Sequence, residues 1–260
     1  MKIARYRSGA RLGYAIVRDV ELYAGEGLLY RGLREGKYIG REQDVKFLPP
    51  VTPTKILAIG KNYRDHAKEM GGDAPKEPLL FMKAPTAMIG NDDPIVIPEG
   101  AGRIDYEGEL VAVVGRRARY VSEDEALKYV LGYTCGVDVT ARELQQKDGQ
   151  WTRAKGFDTF APIGPLIDTD GGPGGRRIHT RLNGKIVQDG NTDDMVFKLP
   201  TLIAYITRVM TLLPGDLVFT GTPSGVGRLN PGDTIEVEIA GIGILRNPVV
   251  AESQTSPSRG

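Results

Sequence analysis

The chain has one cysteine, no long apolar run and no surplus of either charge. Cys135 alone cannot form an intrachain disulfide, which excludes a disulfide-stapled scaffold and suits a reducing compartment. Its neighbours, Leu131-Gly132-Tyr133-Thr134-Cys135-Gly136-Val137, mark it as a packed small hydrophobe rather than a nucleophile. No stretch approaches the roughly 20 apolar residues of a membrane helix. Met1-Lys2-Ile3-Ala4-Arg5 lacks the apolar core of a signal peptide, so the expected location is cytoplasmic. Basic and acidic residues number 34 and 33, so no field draws the chain to nucleic acid or to a membrane surface. No G-x-G-x-x-G follows an apolar strand, and a dinucleotide-binding fold finds no support.

What is present is an ordinary globular composition, 40% apolar and 26% charged, punctuated by 34 glycines and 17 prolines. Residues 1–50 read as a small β-rich N-terminal module, with strands at 2–6, 12–17 and 21–24. The proline-rich Leu48-Pro49-Pro50-Val51-Thr52-Pro53 closes it. A larger domain is expected over 51–250, and a disordered polar tail over 251–260. In the larger domain the patterning predicts strands at 56–59, 79–83, 95–97, 109–114, 130–137, 177–182, 217–220 and 234–239. It predicts helices at 63–70, 122–128, 139–146 and 199–207, the second opened by a capping box of Ser122 and Glu125. Strands and helices do not alternate regularly, so the expected class is α+β and β-rich, not a doubly wound parallel sheet.

The chemistry concentrates in Ile104-Asp105-Tyr106-Glu107-Gly108-Glu109-Leu110. Strand side chains alternate faces, so Glu107 and Glu109 point the same way with only Gly108 between them. Burying two like charges that close costs several kcal/mol or more, and a divalent cation is the simplest remedy. Asp138, at the end of the apolar run through Val137, is a third candidate. It also reads as a helix N-cap, with Arg142 and Gln145 following on one helical stripe. Three carboxylates select Mg²⁺ or Mn²⁺, with Ca²⁺ as an alternative; zinc would want His or Cys.

The two histidines differ. His66 has Glu69 three positions on, a spacing that can orient an imidazole as a general base or simply form a surface pair. The Gly71-Gly72-Asp73-Ala74-Pro75 that follows suits a mobile lid. His179 lies on an expected exposed strand face without a role. Lys155 sits in an aromatic loop, and Thr220-Gly221-Thr222-Pro223-Ser224-Gly225-Val226-Gly227 exposes hydroxyls and backbone N–H groups. A Gly-rich loop alone is most often a turn.

Together, Tyr106-Glu107-Gly108-Glu109-Leu110, Gly136-Val137-Asp138-Val139-Thr140-Ala141-Arg142, Ala154-Lys155-Gly156-Phe157-Asp158 and Thr220 through Gly227 resemble the fumarylacetoacetate hydrolase superfamily. The similarity runs from about Lys55 to Val249, and several motifs in order make it specific. The resemblance implies a mixed β-sandwich roll with a small N-terminal domain, a homodimer, and one Mg²⁺ or Mn²⁺ per site. It implies Glu107, Glu109 and Asp138 as metal ligands. It further implies His66 and Glu69 as an acid/base pair on a lid, and Lys155 as a stabiliser of a developing enolate. Arg142, Gln145 and Thr222 would hold substrate oxygens.

Three carboxylates and a dication leave one net negative charge, which Lys155 and Arg142 reverse for an anionic substrate. The leading expectation is a metal-dependent enzyme cleaving a C–C bond, by hydrolysis or decarboxylation, in acylpyruvate-like or oxaloacetate-like 2-oxo acids. One alternative is an isomerase or decarboxylase of 2-hydroxydienoic diacids from aromatic catabolism, such as 2-hydroxyhepta-2,4-diene-1,7-dioate or 5-oxopent-3-ene-1,2,5-tricarboxylate. The alternative of a different class is a catalytically inactive metal-binding protein.

Overall fold

The computed structural model describes residues 1–255. A twelve-stranded sheet dominates it. Along its main path the strands run Gly32–Arg41, Glu21–Leu28, Arg11–Arg18, Lys2–Ser8, Ala161–Asp168, Val130–Val137, Gly108–Val114, Leu217–Phe219, Ile56–Gly60 and Leu79–Lys83. A five-stranded sheet orders Lys185–Asn191, Arg177–Leu182, Thr234–Ile239, Gly243–Ala251 and Ile95–Ile97. A three-stranded sheet joins Thr140–Ala141, Ile104–Tyr106 and Gly227–Arg228. One large core cluster, including Val111, Val137, Phe219, Val237 and Leu245, fills the space between the layers. The β-rich mixed architecture is the one expected from the sequence.

Direction and register place the site. Ile56–Gly60 and Leu217–Phe219 pair in parallel, so the segments after Gly60 and after Phe219 leave from the same end. Gly108–Val114 runs antiparallel to Leu217–Phe219 and to Val130–Val137, with Gly108 opposite Val137 and Val111 opposite Phe219. Glu107, Asp138, Thr220 and Lys61 therefore emerge around a single sheet edge, although they come from distant parts of the chain. The apolar, β-branched run Leu110-Val111-Ala112-Val113-Val114 anchors this edge because it is buried throughout.

Gly108 has a steric reason to be glycine. A Cβ there would stand 2.1 Å from Thr180 Oγ1 of the five-stranded sheet and 3.1 Å from Val237. The second sheet thus packs directly onto the face opposite the two carboxylates.

The N-terminal strands join the large sheet instead of forming one of their own, because Lys2 and Ile3 pair with Asp168 and Ile167. Ala4, Tyr6, Ala15, Val17, Leu22 and Leu166 form a separate small core beneath them. Among the strands longer than six residues, four are absent from the sequence-based expectation: Gly32–Arg41, Ala161–Asp168, Lys185–Asn191 and Gly243–Ala251. Each contains Gly or Pro, which weakens the local signal until neighbouring strands supply the pairing. The Asn183-Gly184 turn, with φ of 52° and 78°, is the two-residue hairpin loop that joins Arg177–Leu182 to the third of them.

Three local expectations are corrected. Ser122 makes no side-chain cap, and the segment splits into a short α-helix, Glu123–Ala126, followed by a 3₁₀ turn. Helix 139–146 begins later, at Arg142, because Thr140–Ala141 pair with Ile104 and Asp105. Asp138 is therefore neither helical nor an N-cap. Order also extends past residue 250: Ala251 ends a strand and Glu252–Gln254 form a 3₁₀ turn. The remainder of the expected tail, 256–260, lies outside the described residues.

Candidate active site

Glu107, Glu109 and Asp138 converge at the sheet edge. Each offers one carboxylate oxygen, and these oxygens lie within 4.8 Å of one another, all on buried residues. Their surroundings differ. Glu107 accepts from Arg142 Nη2 at 2.6 Å and Lys155 Nζ at 2.9 Å. Burial alone would raise its pKa, but Lys155 and Arg142 outweigh that and hold the carboxyl well below the usual range. Asp138 accepts from Lys155 Nζ and from Lys83 Nζ, both at 2.6 Å. Glu109 accepts one hydrogen bond, from the Gly221 N–H at 2.7 Å, and among the described residues it pairs with no basic side chain. Burial, followed by repulsion from Asp138 and Glu107, pushes its pKa well above the ordinary carboxylate value.

That donor set fits a hard divalent cation. Three buried oxygens of one sign, one of them without a countercharge, are stabilised most simply by a cation that prefers carboxylates. These three residues would hold it.

A cavity of about 220 Å³ opens beside the triad, lined by every expected site residue except Glu69 and Asp138. His66 is only 4% exposed, yet its ring reaches this cavity. Its Nδ1 meets Glu69 Oε2 at 3.2 Å, and the Glu69 carboxylate also accepts from the Gly225 N–H at 3.1 Å. The helix Arg64–Glu69 is thereby tied to the Gly-rich loop. Pairing Nδ1 with a carboxylate leaves Nε2 as the ring atom available for proton transfer.

Arg142 is committed on three sides: Nε to Asp105, Nη2 to Glu107 and Nη1 to Gln145 Oε1 at 3.0 Å. The Thr222 hydroxyl donates to the Gly108 carbonyl and accepts from Gln188 Nε2. Gln188 in turn accepts from the Gly108 N–H. Thr222 and Gln188 thus clamp the backbone between the two glutamates.

Sequence reasoning left three contributors unassigned. Asp105 continues the same-face series with Glu107 and Glu109, and it binds both Arg142 and Arg103. Its spacing was the available signal. Lys83, at the end of an apolar strand, carries an ammonium with no exposed surface. Burial lowers its pKa, against the pull of Asp138. Only the folded sheet reveals its partner. Trp151 lines the cavity and meets Phe81 edge-on at 5.0 Å, with Lys155 Nζ over both rings.

Comparison with known proteins identifies the family of the fold. Residues 55–250 match the family described as fumarylacetoacetate (FAA) hydrolase C-terminal. An uncharacterised protein of Archaeoglobus fulgidus is 56% identical over 206 residues, covering 79% of this chain and 82% of its own. Oxaloacetate tautomerase fahd2, mitochondrial, of Xenopus laevis is 41% identical over 231 residues, covering 84% of this chain and 72% of its own. The crystal structure of 2-hydroxyhepta-2,4-diene-1,7-dioate isomerase from Mycobacterium marinum superimposes with a TM-score of 0.90 at 38% identity, covering 98% of this chain and all of that one. The chain belongs to the fumarylacetoacetate hydrolase superfamily.

Proposed function

We propose that this protein is a divalent-cation-dependent enzyme that moves a proton within a 2-oxo acid, interconverting keto and enol forms or shifting the conjugated double bond. The observation that carries the reading is the placement of His66, backed by Glu69, on the same cavity as the carboxylate triad and Lys155. Similarity to a tautomerase and to an isomerase, each acting on a compound of this class by name, supports it.

A cation bound to Glu107, Glu109 and Asp138, Mg²⁺ or Mn²⁺ by donor chemistry, would supply Lewis-acid polarisation of the 2-oxo oxygen. His66 Nε2 takes the proton from the carbon next to the carbonyl and returns it to the enolate oxygen or to a further carbon, so the product keeps the substrate's formula. Glu69 holds the ring in the required tautomer through Nδ1. The Lys155 ammonium stands by as the enolate charge develops, and its pairing with Asp138 and Glu107 keeps it protonated by outweighing burial. Arg142 and Gln145 present N–H groups to the substrate carboxylate, and Thr222 holds the wall through Gly108.

The same groups support C–C cleavage as a second reading, favoured by a histidine oriented for water activation. His66 would take a proton from water as the oxygen attacks the distal carbonyl. The C–C bond then breaks, its electron pair passes to the enolate, and His66 returns the proton. The experiment is a panel of oxaloacetate, 2-hydroxydienoic diacids and acylpyruvates assayed with Mg²⁺ and with Mn²⁺, products followed by mass and by loss of enol absorbance. Accelerated loss of the enol band with conserved mass is expected. Formation of two acids from the acylpyruvate, with no effect on the enol, would replace the first reading with the second.

A further inference from the structure

Three cationic side chains line the cavity: Arg142, Lys155 and Lys61. The first two are bound to carboxylates of the site. Among the described residues, Lys61 has no carboxylate within 4.0 Å. It also stands on unusual backbone, with φ of 54°, in the left-handed region that non-glycine residues rarely adopt. Such conformations persist where the surroundings over-determine them, and they gather at ligand clamps.

The surroundings here do so from both sides. Before Lys61, Gly60 lies so close to Trp151 that a Cβ would meet Cζ3 at 2.7 Å. After it, the fully buried Asn62 donates to the Phe197 and Thr220 carbonyls and accepts from the Phe197 N–H. The turn is fixed, and it puts a half-buried lysine in the cavity lining, its Nζ 3.9 Å from where a Cβ on the exposed Gly72 would stand. Ile59, Met70 and Trp151 supply apolar wall in the same cavity.

We infer that Lys61 is the anchor for a second carboxylate, so that the preferred substrates are dicarboxylic 2-oxo acids or their enols rather than monocarboxylic ones. The inference rests on the 2-oxo acid reading given above. Arg142, Gln145 and the cation site take the 2-oxo carboxylate end, the apolar wall covers the short carbon chain, and the cavity's one ammonium that pairs with no carboxylate among the described residues meets the far carboxylate. A charged pair formed in a cavity of this size is worth a charge-assisted hydrogen bond.

The test uses two acids of equal chain length, oxaloacetate and 2-oxobutanoate, which differ only in the terminal carboxylate. Their affinities are measured by calorimetry on the Mg²⁺-loaded full-length protein in a His66→Ala background that slows turnover. With Lys61 present, oxaloacetate should bind more tightly. Lys61→Met should lower the ratio of the two affinities by about tenfold, and Lys61→Arg should restore much of it. Retained 2-oxobutanoate binding shows that the variant is folded. A ratio unchanged in Lys61→Met, with both affinities falling together or neither falling, overturns the anchor while leaving the 2-oxo acid reading in place. Failure of both acids to bind when Lys61 is present overturns that reading and the anchor with it.

Discussion

Lys83 and Asp138 meet at 2.6 Å with essentially no exposed surface on either side chain, the ammonium of a sheet strand fixed on the carboxylate that closes the triad. Lys83 also donates to the Val139 carbonyl, so it holds both the side chain and the backbone of that turn. With Lys155 on the other oxygen, Asp138 can adopt only one orientation.

Removing that ammonium leaves a buried carboxylate short of a partner. Lys83→Met should cost about 3 kcal/mol of stability, the usual result of breaking one side of a buried pair. Urea denaturation measures it, and a loss below about 1 kcal/mol would show that Lys155 alone suffices.

Glu109→Gln should act in opposite directions on the fold and on the cation. It replaces a carboxyl group whose charged form burial, Asp138 and Glu107 disfavour, so the protein in chelator should melt at a higher temperature. The same change should abolish Mg²⁺ binding in calorimetry. Undiminished affinity would take Glu109 out of the donor set.

His66→Ala should lower turnover on the true substrate by about 10² to 10⁴, the range for general acid–base groups. Mg²⁺ affinity should stay within about twofold, since His66 bonds to Glu69 and to none of the triad. Full turnover in this variant would remove the base from the mechanism.

Gly108→Ala should destabilise the protein by about 1–3 kcal/mol, because a methyl group must displace Thr180 from 2.1 Å. It should also weaken Mg²⁺ binding, as Glu107 and Glu109 flank the position. A Thr180→Ala background should recover part of both losses.

Cys135 supplies a pH test. Burial pushes its thiol up to about 12, well above an exposed cysteine. A group whose folded pKa is raised contributes stability that is present below the unfolded value and lost as pH rises through the folded one. Alkylation of the native protein at pH near 9 should therefore be slow and limited by unfolding, whereas the same thiol in denaturant should react at once. Rapid native labelling would place the thiol at the surface.

Much of this site was legible because its signals are local. The alternation of Glu107, Gly108 and Glu109 is a property of any strand, so their shared face needed no tertiary information. The His66–Glu69 spacing lies within one helical turn in the same way. Asp138 was legible as a residue but not as a geometry: its helix starts only at Arg142 because Thr140–Ala141 are claimed by a strand from 35 residues earlier. The strand Ala161–Asp168 escaped notice because Pro162, Gly164 and Pro165 read as a loop. Between Val130–Val137 and Lys2–Ser8 the same residues find partners that outweigh their own preference.

The order of acidic, basic and glycine residues along the chain determined the kind of chemistry, since donor type selects the cation and like charges on one face demand a counterion. What only tertiary structure decided is which cations are committed to carboxylates and which, among the described residues, is not. Lys83, Lys155 and Lys61 look alike in sequence. Strand register and two fixed turns bring the first two onto carboxylates and put the third in the cavity lining, because ion pairing depends on through-space distance and burial, which chain order does not contain.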